Sequence, residues 1–242
     1  MKVLSVTMSI AAAGFIAAGP LFCLICFVAQ AADGPTSPVV AEEFREFEVF
    51  VKDKPAGKST IRITETADGA TRVDTEASVK LDYFVYVYRY EFHGRETWRE
   101  GRLVSTENRA TDDGKKLIVR ARLGAGGSTI ETNGKARAAP RFDMTTNYWR
   151  APDMSRRSKQ SFMNADQGTL HSVEIRAMGA ERVMVDRRRI DCAHLRVSGE
   201  IEADLWFDDQ DRIVGRKTIE DGYPTELRLV RVSRSAARTA TR

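Results

Sequence analysis

Cys192 and His194 are the residues of this chain whose types and spacing point most directly to chemistry. A thiolate beside an imidazole can act as a nucleophile pair, and the same two side chains can supply half of a zinc site. A nucleophile pair also needs a third group that orients the base, and zinc needs two more ligands. His93 and His171 are the only other histidines, and nothing in the sequence brings them close to Cys192. We therefore predict no catalytic residues, no metal site and no cofactor, and we interpret Cys192 and His194 as strand residues on a polar face.

Clusters of charged residues allow a chemical interpretation and a simpler one. Glu200, Glu202 and Asp204 share a strand face, where exposed charges are the usual finding unless burial raises a pKa. The arginine runs 156–157 and 187–189 can meet anionic headgroups, or they can be a charged loop and turn. The sequence contains no serine-hydrolase elbow, phosphate loop, zinc-protease motif or dinucleotide fingerprint. Whether the chain is an enzyme stays open, and a non-catalytic role is favoured.

Aromatic residues dominate the segment 83–93, in which Phe84, Tyr86, Tyr88, Tyr90 and Phe92 alternate with other residues. In a strand these five side chains share one face. A curved sheet lined by tyrosines can hold an apolar or amphipathic ligand, with the hydroxyls meeting a polar head. The alternative, which we favour, is a core-facing strand whose hydroxyls reach the rim.

Trp149 is the other candidate for ligand contact, and it lies in the segment 140–168, which shows no clean periodicity. A loop of this length is often functional, or covers a sheet. We expect an irregular loop with at most one short helix. Trp149 is interpreted either as a lid that contacts ligand or as a plug that closes one end of the sheet. The predicted ligand-binding residues are therefore Tyr86, Tyr88, Tyr90 and Trp149.

The first 31 residues predict a secretory signal peptide. Lys2 precedes a long apolar stretch, and Ala29-Gln30-Ala31 has the small-residue pattern of a cleavage site. The stretch is also long enough for an uncleaved membrane anchor, which stays an alternative. We expect a periplasmic or secreted protein.

Charge and cysteine content limit the partners and the fold. The formal net charge of +4 falls to +3 without the signal, since Lys2 is the only charged residue in it. A charge this small, together with export, argues against nucleic acid as a partner. Cleavage removes Cys23 and Cys26 and leaves Cys192 alone, so the domain has no internal disulfide and must depend on its core.

Alternating patterns predict an all-β domain. Val73, Thr75, Ala77, Val79 and Leu81 lie on one face of a strand, opposite charged and polar neighbours. Turn dipeptides such as Asp68-Gly69 and Asn133-Gly134 recur at the spacing of an antiparallel meander. We predict a meander curled into a half-barrel or open barrel over 44–232, a flexible leader over 32–43 and a disordered basic tail over 233–242. Residues 193–207 keep one apolar face, with a bend or bulge expected at Ser198-Gly199.

Three stretches resemble a known family. They are 88–104, which contains Glu96-Thr97-Trp98, then 145–149, which contains Asn147-Tyr148-Trp149, and finally 198–208 with 223–227. Together they resemble the exported bacterial family called domain of unknown function 6134, over most of 44–232. The resemblance implies an antiparallel β domain and, by analogy, a curved half-barrel that carries lipids or lipoproteins across the periplasm. It implies no catalytic residues, and the basic loop 155–159 departs from its pattern.

The sequence thus favours an exported, non-catalytic domain that binds an apolar or amphipathic molecule of the cell envelope, with a lipid as the possible partner. The alternative is a structural or protein-interaction module of the envelope with a filled core. A membrane contact is expected only through the signal segment, if it is not cleaved.

Overall fold

The computed structural model describes residues 37–83, 85–155, 158–186, 188–220 and 222–236. The predicted signal segment lies outside these residues, as do Phe84, Arg156, Arg157 and Arg187. Within the described residues we find no helix with the length and hydropathy needed to span a membrane.

The described chain forms one sheet of fifteen strands, and it contains no helix. The strands are β1 (Val39–Val51), β2 (Lys54–Thr66), β3 (Ala70–Tyr83), β4 (Tyr86–Arg99), β5 (Arg102–Asp112), β6 (Lys115–Gly124), β7 (Gly127–Thr132), β8 (Lys135–Ala139), β9 (Met144–Thr145), β10 (Lys159–Met163), β11 (Leu170–Val185), β12 (Arg188–Gly199), β13 (Ala203–Phe207), β14 (Ile213–Glu220) and β15 (Tyr223–Ala236). Their order is β8-β7-β6-β5-β4-β3-β2-β1-β15-β14-β13-β12-β11-β10-β9. All neighbours are antiparallel except β9 and β10, which are parallel. The edges β8 and β9 do not pair, so the predicted open antiparallel meander is confirmed.

Tight turns join most of these strands, and their residues explain why. Asn133 and Gly134 have φ angles of 49° and 80°, and Asp113 and Gly114 have 46° and 85°. Asparagine, aspartate and glycine tolerate positive φ better than other residues, and two-residue hairpin turns require it.

The turns divide between two ends of the sheet. We call one the tyrosine end, because the β3–β4 turn before Tyr86 lies there with the β1–β2, β5–β6, β12–β13 and β14–β15 turns. We call the other the tryptophan end, because Trp98, at the far end of β4, lies there with the β2–β3, β4–β5, β6–β7, β11–β12 and β13–β14 turns. Tyr86 and Trp98 are separated by roughly 40 Å of strand, at about 3.3 Å per residue.

The sheet is rolled, and the segment after β8 fills its interior. Phe142, Tyr148 and Phe162 from this segment are fully buried with Val73 and Leu205 of the sheet in one apolar cluster. The segment 140–168 contains β9, β10 and turns, and none of its described residues is helical. The segment 140–168, which we expected to cover the sheet, therefore fills the interior of the roll.

The structure places three boundaries differently from the sequence analysis. β1 begins at Val39, inside the predicted leader, because Ala41 to Phe44 pair with both β2 and β15. β15 continues to Ala236, inside the predicted tail, because it pairs with β1 as far as Ala41. The run 193–207 forms two strands joined by a turn over 200–202, not one bent strand, and Val197 pairs with Ala203 across it.

Candidate functional site

The predicted tyrosine residues lie on the inner face of β4 and become more buried along the strand. Tyr86 is 45% exposed, Tyr88 and Tyr90 are partly buried, and Phe92 is fully buried. The alternation predicted from sequence explains this arrangement, because every second side chain of β4 points into the roll. We call this part of the inner face, defined by Tyr86, Tyr88 and Tyr90, the mouth of the roll, and the filled interior lies behind it.

Tyr90 closes the inner end of this mouth. Its hydroxyl donates a hydrogen bond of 2.7 Å to Oδ2 of Asp166, in the turn between β10 and β11. Burial, reinforced by the Asp166 carboxylate, raises the pKa of the phenol far above its ordinary value. Burial also raises the pKa of the Asp166 carboxyl, although the phenol hydrogen bond acts in the opposite direction.

The turn that carries Asp166 is fixed to the sheet. The Oδ1 of Asn164 accepts hydrogen bonds from the amides of residues 166 and 167. Asn108 of β5 donates to the carbonyl of Ala165 at 2.9 Å, and Arg137 of β8 donates to the carbonyl of Gly168 at 2.8 Å. These contacts join the C-terminal end of the chain segment that fills the roll to strands β5 and β8.

Two charged residues of β14 face the same region. The pKa values of Tyr90, Tyr148 and Asp166 are all raised by the nearby Glu220 and lowered by the nearby Arg216. The Nη1 of Arg216 donates weakly to the carbonyl of Thr146 at 3.5 Å. Its buried Nε has no hydrogen-bond partner among the described residues. The mouth thus combines aromatic walls with one guanidinium that retains hydrogen-bonding capacity.

Deeper in the roll, Glu96 is a buried carboxyl without a cation. Trp98 Nε1 donates to its Oε2 at 2.8 Å, and Asn147 Nδ2 donates to its Oε1 at 2.8 Å. Thr145 donates its hydroxyl to the same Oε1. Burial raises the pKa of this carboxyl, while the three donors lower it, and no basic residue of the described chain forms an ion pair with it.

Trp149 lies at the tryptophan end, far from the tyrosines. Its ring contacts Trp98 edge-on at 5.5 Å, and the Arg150 guanidinium lies 5.5 Å from its centroid. Its carbonyl accepts a hydrogen bond from the buried Arg45. The structure therefore does not bring Trp149 together with Tyr86, Tyr88 and Tyr90.

A cleft of about 630 Å³ opens beside Trp98 at the tryptophan end, and no pattern in the sequence predicts it. Buried Leu103, Phe142 and Met144 form part of its wall. Its charged lining residues are Arg102, Arg141, Arg150, Glu100, Asp143, Asp153 and Asp211. Because both signs are present, the cleft has no clear preference for an anion or a cation.

Cys192 is buried, and not an exposed residue of a polar face as the sequence pattern predicted. The regular register of β12 keeps it on the same side as His194, but it packs in the apolar cluster that also contains Leu195 and Val197. Burial is the largest cause that raises the pKa of this thiol to about 11.

His194 lies on the face of β12 opposite Leu195 and Val197, as predicted, and has its own partners. Its ring stacks on Trp206 at 4.7 Å, Nε2 lies 2.7 Å from Asp204, and Nδ1 lies 3.3 Å from Glu181. Among the described residues no group of histidine, cysteine and acidic side chains has the arrangement of a metal site.

Comparisons with known proteins agree with this architecture. No curated protein matches the chain. The crystal structure of a β-barrel-like protein of domain of unknown function DUF1849 from Brucella abortus is similar, with a TM-score of 0.61 and 7% sequence identity. The match covers 82% of this chain and 99% of the Brucella chain, and at this identity it shows the fold alone. A DUF1329 family protein from Desulfovibrio piger ATCC 29098 is 12% identical over 80% of this chain and 85% of its own, but its TM-score is only 0.17. The family model described as domain of unknown function DUF6134 matches residues 47–230, and the chain therefore belongs to that family.

Proposed function

We propose that this β-barrel-like domain is a non-catalytic binding module for an apolar or amphipathic molecule of the cell envelope, which enters at the tyrosine end. The observation that carries this proposal is the graded burial of Tyr86, Tyr88 and Tyr90 on the inner face of β4, with Tyr90 near Arg216.

The chemistry of the mouth suits such a ligand. Tyrosine rings offer a large apolar surface and keep a hydroxyl for a polar group. Ligand pockets typically combine apolar walls with a few placed polar groups, and the unpartnered Nε of Arg216 is one here. The buried Phe162 and Tyr148 fill the roll behind the mouth, so the ligand inserts only a short acyl end or a ring.

The surroundings of Cys192 and His194, the two residues considered for chemistry, support a non-catalytic role. Burial keeps the Cys192 thiol protonated, because its pKa of about 11 lies well above neutral pH. A protonated thiol is a poor nucleophile. His194 is engaged by Asp204 and Glu181 on the outer face of the sheet.

The cellular part of the proposal depends on the sequence of residues 1–31. Their charge and apolar pattern, with the alanine-rich end, support export to the periplasm or beyond. Fractionation of cells that express the chain tests this directly, and a cytosolic product with the first 31 residues intact would refute it.

A binding experiment tests the site. Purified protein is titrated with a fatty acid that carries a fluorescent dansyl group, and native mass spectrometry checks for copurified lipid. We expect binding to weaken strongly in Tyr86→Ala and Arg216→Met. Ile219→Ala is the matched control, because Ile219 is 61% exposed on β14 at the same end but on the outer face. Equal binding by all variants, or no ligand in a well-folded sample, contradicts the proposal.

A second candidate is a structural or interaction module of the envelope with a filled core. The observation that favours it is the packing of the interior, where Phe162 and Met163 have no exposed surface. Cross-linking in cells that captures one protein partner, combined with no bound lipid, would favour this candidate.

A further inference from the structure

The β3–β4 turn ends in an exposed apolar tip. Val85 is 89% exposed, the largest fraction among the exposed large apolar residues, and the adjacent Tyr86 is 45% exposed. A single exposed apolar residue needs no explanation, but two at the tip of one turn are less usual.

The strands that carry this tip extend beyond the ends of their pairing with β2 and β5. The pairing of β3 with β2 ends at Val79, and the pairing of β4 with β5 ends at Tyr90. Beyond these points the two strands pair only with each other, from Lys80 opposite Arg89 to the turn. Four residues of antiparallel strand span roughly 13 Å, so the hairpin 80–89 extends beyond the β5–β6 turn by about that length. On its other side β2 continues past Gly57 to Lys54, so the β1–β2 turn lies closer to the level of the tip.

Two basic residues lie at the base of this hairpin. Lys80 and Arg89 lie opposite each other, four residues from the turn. Lys80 pairs with Asp82 at 3.1 Å, whereas the exposed Arg89 forms no ion pair with a described residue. Residues 80–89 contain two basic residues and one acidic residue. The hairpin therefore has apolar side chains at its tip and basic side chains at its base. At a bilayer surface the hydrocarbon and the headgroup phosphates are layered in the same way, so the tip suits the hydrocarbon and the base suits the phosphates.

We infer that the hairpin 80–89 docks on the surface of a lipid bilayer, with Val85 and Tyr86 at the level of the first acyl carbons and Arg89 among the headgroup phosphates. A lipid surface fits better than a folded partner, because a stable protein interface buries about 800 Å² on each side and two exposed side chains supply far less. Tyrosine is enriched at membrane interfaces for the same combination of apolar ring and polar tip.

Docking of the tip is separate from ligand binding in the mouth. Tyr86 takes part in both, but contact with a bilayer also needs Val85 at the tip, whereas the ligand also needs Tyr90 and Arg216 in the mouth. The two can therefore fail independently: retention of the dansyl fatty acid reports on the mouth, and a fluorescent label at position 85 reports on the tip.

A site-specific fluorescent probe tests the contact in the full chain. Cys23 and Cys26 are replaced by serine, and a bimane label is attached to Val85→Cys. The matched control is Met184→Cys, which replaces a 56% exposed apolar residue of β11 near the opposite, tryptophan end. Both proteins are mixed with vesicles of phosphatidylethanolamine and phosphatidylglycerol that contain a nitroxide-labelled phosphatidylcholine.

We expect the nitroxide to quench the label at position 85 and to leave the label at position 184 bright. Any contribution of the N-terminal segment to vesicle binding is common to both proteins and does not produce this difference. Equal quenching at the two positions, or none at position 85, overturns the inference. A change at position 85 that depends on protein concentration without vesicles also overturns it, because the tip would then contact a second copy of the chain.

Discussion

The hydroxyl of Tyr90 and the carboxyl of Asp166 are joined by a hydrogen bond of 2.7 Å across 76 residues of chain. The bond connects the inner face of β4 to the turn that follows β10. It also separates the exposed part of the tyrosine row from the filled interior. Any ligand in the mouth therefore rests against a structural contact, and the stability of that contact can be measured apart from binding.

Removal of the Tyr90 hydroxyl should destabilise the domain. We expect Tyr90→Phe to lower the free energy of unfolding by about 1–2 kcal/mol, because Asp166 loses its hydrogen-bond donor in a buried place. Urea unfolding of Tyr90→Phe, Asp166→Leu and the double variant measures the coupling between the two residues. Strictly additive effects would show that the hydrogen bond contributes nothing.

Glu96 should give the domain a stability component that decreases as pH rises. Its pKa in the folded protein is raised from the ordinary 4.5, because burial disfavours the charged form. The folded state thus binds the proton more tightly than the unfolded state, so the contribution is complete below about pH 4.5 and is lost as the pH rises through the folded-state pKa.

The Glu96→Gln variant tests this sign. Glutamine stays neutral, so the stability of the variant relative to the unmodified protein should increase by at most about 1.4 kcal/mol per pH unit above pH 4.5. The Asn147 side chain can turn its carbonyl toward the new amide and so keep a hydrogen bond. Urea unfolding at several pH values gives the difference, and a difference that is constant with pH would show that Glu96 has an unshifted pKa.

The sequence predicted the sheet well because local patterns determine it. Val73 and Thr75 alternate with polar neighbours and are buried in β3, and Asn133-Gly134 forms a turn as expected. The network around Glu96 was not predictable in this way, because Asn147 lies 51 residues further along the chain. A local pattern also failed at Cys192, which is buried although it lies on the same side of β12 as His194.

Gly168 lies in the turn between β10 and β11, where the chain packs too closely against the sheet for a larger side chain. Its φ is +72°, and a Cβ would come within 2.8 Å of Thr132 Oγ1 and 3.0 Å of Val119 Cγ1. We expect Gly168→Ala to destabilise the domain by more than about 1 kcal/mol, because the alanine is strained by both backbone and space. Gly114→Ala is the control, since its φ of +85° is similar but nothing lies within 4 Å of its Cβ position. Thermal unfolding compares the two, and equal losses would assign the whole effect to the backbone.

Arg45 is a buried arginine whose loss should be more costly than that of an exposed one. It contacts Glu43 and the carbonyl of Trp149 from inside β1. We expect Arg45→Met to cost about 1–3 kcal/mol, because Glu43 Oε1 and the Trp149 carbonyl lose a buried donor, while Arg234 still pairs with Glu43 Oε2. Arg62→Met removes an exposed partner of Glu42 and should cost about 0–1 kcal/mol. Similar losses in the two variants, measured by urea unfolding, would argue against a structural role for the buried pair.

Cys192 should behave as a packed thiol that reacts only when the domain opens. Burial holds its pKa at about 11, so only a very small fraction is thiolate at pH 8. In a chain with Cys23→Ser and Cys26→Ser, we expect Ellman's reagent to modify Cys192 at the rate of unfolding, independent of reagent concentration once the reagent is in excess. Urea below the unfolding transition should accelerate the reaction, because it increases the rate of opening. Fast modification of the native protein, with a rate proportional to reagent concentration, would show instead an accessible thiolate and would restore Cys192 as a candidate for chemistry.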